Sequence, residues 1–138
     1  MKVDSIKNGI VIDHITAGKA MELYNMLGLD RLDCPVAVIM NVPSRRTGRK
    51  DIIKIDAGIN FDFDVIGYVS PNATVNVIKN EEICEKKHID LPHRLVNIIK
   101  CKNPRCITTT EQELTQIFKL TDPEKRVYRC FYCEANAK

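Results

Sequence analysis

The chain reads as an α+β protein: a ferredoxin-like antiparallel sheet with two helices on one face, followed by a small all-β domain. Three observations lead there. Segments of strand and helix character alternate as strand, helix, strand, strand, helix, strand, with one strand added, which is the split β-α-β arrangement. Four of the six cysteines fall in the last 38 of 138 residues, in two pairs. The length suits one domain with a smaller attachment.

Each element has a local reason. Residues 9–15 (GIVIDHI) alternate as a strand, with Val11, Asp13 and Ile15 on one face and Ile10, Ile12 and His14 on the other. Thr16 is placed to cap a helix whose apolar stripe is Ala17, Ala20, Met21, Tyr24 and Leu27 and which ends at Gly28. Residues 35–42 (PVAVIMNV) suit a buried strand, 43–50 (PSRRTGRK) a polar loop, and 51–57 (DIIKIDA) the next strand. Residues 62–69 (DFDVIGYV) suit a short helix, which Ser70-Pro71-Asn72 ends. Residues 73–78 (ATVNVI) and 82–85 (EICE) read as strands joined by a tight turn near Lys79-Asn80. Residues 90–93 (DLPH) read as a linker, which sets the domains at 1–93 and 94–138. Beyond it, 95–99 (LVNII) leads into the first cysteine of the late cluster, and 114–120 (LTQIFKL) and 126–131 (RVYRCF) read as strands of a small antiparallel sheet.

Composition excludes several classes. Apolar residues make up 44% and charged residues 28%, which rules out a mainly disordered or collagen-like chain. No run approaches the roughly 20 apolar residues of a membrane-crossing helix. The start, MKVDSIKNG, lacks the apolar core of a secretory signal, so a cytoplasmic location is expected. A net charge of +3 is too slight to imply a nucleic-acid partner by itself. One basic cluster stands out, Arg45, Arg46, Arg49, Lys50 and Lys54, opposed only by Asp51.

The cysteine pattern C-x4-C-x23-C-x2-C runs through Cys101, Cys106, Cys130 and Cys133. A reducing compartment disfavours disulfides, and two such pairs supply four thiolates to a tetrahedral zinc ion. Asn103-Pro104 turns the first loop, so that backbone N–H groups can donate to sulfur. About 38 residues bury too little apolar surface to fold unaided, so the ion is expected to be structural and to supply much of the folding free energy. A catalytic zinc would keep an open position, and four cysteines close the shell. His88 and His93 then read as surface residues, and Cys34 and Cys84 as isolated thiols in apolar, strand-like surroundings. The C-x2-C pair follows a strand-like run instead of opening a helix, which argues against redox chemistry.

Several stretches together resemble one family. They are VDSIKNGIVIDHI at 3–15, NVPS followed by GRKDIIKI within 41–55, PNATVNVIKN at 71–80, and the cysteine pattern with CKNPRC and YRCFYCE around it. In this order and spacing the chain is similar, from about residue 3 to 134, to the regulatory chain of aspartate carbamoyltransferase. The resemblance implies a non-catalytic allosteric subunit of pyrimidine biosynthesis. Its N-terminal domain would bind CTP or ATP as effectors, and its zinc domain, with one ion per chain, would dock on the catalytic chain. Regulatory chains would pair as dimers that bridge catalytic trimers. The sequence itself holds no nucleophile–base constellation, so no catalysis is expected of this chain.

The resemblance also implies roles for residues. Val3, Asp4, Ser5 and Ile6 would run beside the nucleotide. Asp13 and Lys54 would contact base and ribose, and His14 and Lys86 the triphosphate. Lys50 would lie near a second nucleotide or metal, and Asn76, Ile78 and Ile83 would line the pocket's other strands. Asn103 and Glu134 match docking positions beside the zinc. Glu81 stands where the family usually has an aromatic residue, and Ala135 where a basic one is common. The chemistry is coherent, because a triphosphate needs converging cations. A histidine among its phosphates has its charged form favoured. The competing reading is a zinc-ribbon nucleic-acid binder, supported by the four cysteines and the Arg45–Lys54 cluster. Against it stand the small charge excess and an aromatic content of 6%. Binding that falls steeply with salt would mark that alternative. The expected partners are thus the catalytic chain, a second copy and nucleotides, with neither nucleic acid nor membrane.

Overall fold

A computed structural model describes residues 7–46, 48–59, 61–111 and 113–137. The chain divides into two compact units, Met1–Asp90 and Leu91–Lys138.

The first unit is a five-stranded sheet of β1 (Gly9–Thr16), β2 (Val36–Ser44), β3 (Gly48–Ile55), β4 (Thr74–Lys79) and β5 (Glu82–His88). The strands lie in the order β2-β3-β1-β4-β5, with every neighbouring pair antiparallel. Helix α1 (Ala20–Met26) joins β1 to β2, and α2 (Phe63–Val69) joins β3 to β4. This is the ferredoxin-like order with β5 added outside β4. Ile10, Ile12, Ile15, Ile53, Ile55 and Val75 bury one face of the sheet, and Ala20, Leu23, Val65, Ile66 and Val69 are the buried side chains of the helices. Burial of the Ile, Leu and Val side chains among these contributes about 1.5–3 kcal/mol each. Asp62 caps α2, its carboxylate accepting from the Asp64 N–H at 3.0 Å. Asn80 and Glu81, both left-handed at φ 52° and 66°, make the two-residue turn between β4 and β5.

Three local expectations are corrected. Strand β1 is not regular: Ile12 pairs with Ile53 but Ile15 with Asp51, so β1 carries one residue more than β3 across this stretch. His14 absorbs the bulge at φ 56°. Ile15 therefore joins Ile10 and Ile12 in the core instead of Val11 and Asp13. Thr16 caps nothing; it ends β1, and its hydroxyl lies 3.1 Å from that of Ser70. Helix α1 begins at Ala20, buries Ala20 and Leu23, and leaves Met21 44% exposed. Finally, the loop expected at 43–50 is short, because β2 runs to Ser44 and β3 starts at Gly48. This puts Lys50 on a strand.

The second unit is a three-stranded antiparallel sheet, β6 (Arg94–Val96), β7 (Ile117–Asp122) and β8 (Val127–Cys130), with a single helical turn α3 (Ile107–Thr110). The strand segments are shorter than the sequence suggests; β6 stops at Asn97, which is left-handed at φ 56°. Leu95, Phe118 and Tyr128 form its core, and the buried Tyr128 hydroxyl donates to the Pro92 carbonyl at 2.6 Å. Among the described residues no helix is long and apolar enough to cross a membrane.

Candidate functional site

The helices cover one face of the five-stranded sheet, and the other carries the polar side chains. Register sets a row straight across it: Ala37 on β2, Lys54 on β3, Val11 on β1, Asn76 on β4 and Lys86 on β5. Lys50, Ile52 and Lys54 share this face because they alternate along β3. Ile78 sits two residues from Asn76 and pairs with Ile83. Between Ile78 and Val77 the partner strand has one residue extra, the exposed Cys84. Cys34 is half-buried just before β2. Val3, Asp4, Ser5 and Ile6 lie outside the described residues.

The β1 bulge brings the ionisable groups together. Lys50 Nζ is 3.0 Å from Asp13 Oδ1, and the same oxygen accepts from the His14 N–H at 2.6 Å. His14 Nδ1 lies 3.1 Å from Thr74 Oγ1. Burial works to raise the Asp13 pKa, but the Lys50 ammonium, the His14 N–H and the nearby positive charge outweigh it, so the carboxyl stays below its ordinary value. Partial burial pushes the His14 imidazole below its ordinary value; Asp13 pulls the other way, while Lys50, Arg46 and Lys86 deepen the depression. Arg46, flagged in the sequence only as part of a basic cluster, thus acts on the same spot from the β2–β3 turn. Asn76 is 9% exposed, and its Oδ1 has no hydrogen-bond partner among the described residues. A buried acceptor of this kind is costly unless something donates to it.

Asp51 has a role that its sequence context does not display. It is fully buried on the helix side of β3. Its Oδ2 accepts from the Gly18 N–H at 2.9 Å and the Ala20 N–H at 3.2 Å, and its Oδ1 from the Asn41 N–H at 3.0 Å. One carboxylate therefore serves the start of α1, where no neighbouring side chain caps the helix, and an irregularity in β2.

In the second unit, Cys101, Cys106, Cys130 and Cys133 bring their sulfurs within 4.8 Å of one another. The Cys101–Cys133 and Cys106–Cys130 sulfurs are 3.5 and 3.7 Å apart. Four sulfurs each about 2.3 Å from a tetrahedral ion lie about 3.8 Å apart, so the cluster fits such an ion. Burial pushes the Cys101 thiol up to about 12 against the Asn103 N–H, with the neighbouring thiols adding to the rise. Burial also raises Cys130, against the N–H groups of Cys133 and Tyr132. For Cys133 burial is outweighed by the Ala135 N–H, the Asn103 side chain and the Cys101 and Cys106 thiols, which bring it down to about 7. Four sulfurs held this close, one of them with a lowered pKa, suit a cation. Thr108, which the sequence did not single out, places its hydroxyl 3.1 Å from Cys106 Sγ. Asn103 Oδ1 accepts from the Arg105 N–H at 3.0 Å, and Glu134 is exposed beside the cluster at φ 63°.

Comparison with known proteins agrees with both units. Residues 1–90 match the family described as aspartate carbamoyltransferase regulatory chain, allosteric domain, and residues 93–138 match its metal binding domain. Aspartate carbamoyltransferase regulatory chains of Clostridium botulinum and Clostridium acetobutylicum are each 48% identical over 134 residues, covering 97% of this chain and 92% of theirs. That of Bifidobacterium longum is 46% identical over 138 residues, covering 100% of this chain and 99% of its own. With both halves matched in order and nearly full length shared, the chain belongs to the family of aspartate carbamoyltransferase regulatory chains, and is not the catalytic subunit.

Proposed function

We propose that this regulatory chain senses CTP and ATP on the open face of its five-stranded sheet. The effect would pass to the catalytic chain through the metal unit, which holds one structural zinc ion. The carrying observation is the imbalance of charge at the β1 bulge. Lys50, Arg46 and Lys86 act together on His14, and Asp13 alone opposes them. An anion with several charges relieves that imbalance. His14 and Lys86 take the triphosphate. Asp13 and Lys54 meet base and ribose, and Asn76 Oδ1 accepts from a donor of the sugar or base. Ile78 and Ile83 give the apolar border, and Lys50 serves a second nucleotide or metal. Four thiolates in a tetrahedron suit zinc, whose removal would cost the fold of this unit. The docking side of that unit includes Asn103 and Glu134.

Self-association of the chain has support in β2. From Val36 to Ser44 (VAVIMNVPS) this edge strand carries no charged residue; Pro43 and the irregularity between Ile39 and Val42 interrupt its far end, which leaves Val36 to Ile39 as the stretch suited to pair with a second copy. Such pairing fits a regulatory dimer that bridges catalytic trimers in the cytoplasm.

The deciding experiment is an aspartate saturation curve of the cognate catalytic trimer, with this chain and zinc, with and without CTP. A shift in half-saturation that requires the chain is expected. If no shift occurs, the sedimented mass separates an assembly-only role from failure of the whole reading.

A pH dependence follows from His14. Its pKa is depressed in the free chain, and bound phosphate raises it, so binding takes up a proton. CTP affinity should therefore rise as pH falls through the ordinary histidine range near 6.5, by at most about tenfold per unit. It should level off below the depressed value of the free chain. In His14→Gln the slope should flatten; an unchanged slope by calorimetry would remove His14 from the phosphate end.

A further inference from the structure

Beside the cysteine cluster the metal unit has a second feature, a cavity of about 560 Å³ lined by Asn97, Lys100, Thr108, Thr109, Leu114 and Gln116 together with Cys101. Two of its carboxamides are oriented by the backbone. Gln116 Oε1 accepts from the Cys101 N–H at 3.1 Å, and Asn97 Oδ1 accepts from the Gln116 N–H at 2.9 Å. A backbone N–H requires an oxygen opposite it, so both carboxamides are fixed in orientation and only their NH₂ groups remain to donate. The Thr109 hydroxyl donates to the Pro104 and Cys106 carbonyls, and the Thr108 hydroxyl lies against Cys106 Sγ. Lys100 adds an ammonium, and the lining has no carboxylate. The lining thus offers a ligand two amide donors and one cation, beside hydroxyl and carboxamide oxygens that can still accept, next to the apolar wall of Leu114.

We propose that this cavity receives an acidic side chain of the docked partner chain, its carboxylate held by Lys100, Gln116 and Asn97. The proposal rests on the docking reading above and gives that interface a specific anchor distinct from Asn103 and Glu134. Charge complementarity selects the occupant, because a carboxylate is the protein group that accepts from all three donors at once. The volume falls within the ordinary range of binding cavities, about 300–1,000 Å³, and exceeds the need of a lone ion.

The test uses the full zinc-loaded chain. Gln116→Glu and Asn97→Asp each keep the oxygen that the backbone requires and turn the donor into a repelling oxygen; Lys100→Met removes the charge and keeps the stem. Association with the cognate catalytic trimer is followed by sedimentation. Metal content and the amide NMR spectrum report whether each variant is folded. Separately, the side-chain amide resonances of Gln116 and Asn97 are followed as glutarate is added to the chain alone. Gln116→Glu should weaken association by about tenfold with metal content unchanged, Lys100→Met should weaken it less and more so at low salt, and glutarate should shift both amides. Folded variants that associate like the parent overturn the proposal, whatever glutarate does. If the parent chain fails to associate at all, the docking reading has failed. Glutarate shifts would then reassign the cavity to a free carboxylate, and their absence would overturn the carboxylate site as well.

Discussion

Replacing Cys106 by Ala is expected to unfold the second unit and abolish assembly, while the first unit still binds nucleotide. Cys106 is buried, with its sulfur 3.7 Å from that of Cys130. Without it three thiolates remain and the tetrahedral shell is open. The unit's core is little more than Leu95, Phe118 and Tyr128, and a segment of this size does not bury enough surface to fold alone. Structural zinc in small units supplies about 10–16 kcal/mol of apparent folding free energy. Loss of one ligand therefore removes more than the unit's other interactions can replace. Metal analysis and sedimentation with the catalytic trimer check the first half, and calorimetry with CTP the second. Normal assembly by this variant would sink the idea of a metal-built docking unit.

The largest effect in the first unit is expected from Asp51→Ala. The substitution leaves the N–H groups of Gly18, Ala20 and Asn41 without their acceptor in a buried place. Each orphaned donor costs about 1–3 kcal/mol, and partial relaxation or water entry recovers some of it, so a loss of about 4 kcal/mol is expected. Asp51→Asn should lose less, since its one oxygen can serve one of the two sides. Urea denaturation that resolves the first unit is the measurement. A loss below about 1 kcal/mol would mean that α1 and β2 find other acceptors.

These two residues also show what a sequence displays and what it hides. Cys106 was legible because metal binding needs fixed residue types at short spacings, and C-x4-C and C-x2-C state both. The order of strands and helices was legible for a similar reason: period-two and period-3.6 patterns record which side is buried. Asp51 was not, because a carboxylate in a strand next to Lys50 reads as solvent-facing. Its partners, Gly18, Ala20 and Asn41, are backbone groups that leave no mark in side-chain identity. The bulge at His14 was hidden too. Alternation assigned Ile15 to the side of Asp13, and only the pairing with β3 shows the extra residue. Arg46 was visible as charge, but its influence on His14 depends on how far the β2–β3 ladder extends. The docked carboxamides of Asn97 and Gln116 are beyond pattern reading altogether, since an amide in a polar stretch looks like any other.

The outer hairpin carries a lysine on each face. Lys86 pairs with Asn76 on the open face, while Lys87 pairs with Val75 and turns to the helix side, its ammonium 4.7 Å from the Phe63 ring. Moving a strand by one residue exchanges its two faces. In β5 such a slip would bring Lys87 to the open face in place of Lys86, but Glu85, whose carboxylate lies 3.4 Å from the Lys87 ammonium, would come with it. Ile83 would leave that face as well, since its neighbours are Glu82 and Cys84. Alignment errors in this hairpin would thus set a carboxylate on the open face and remove part of its apolar border.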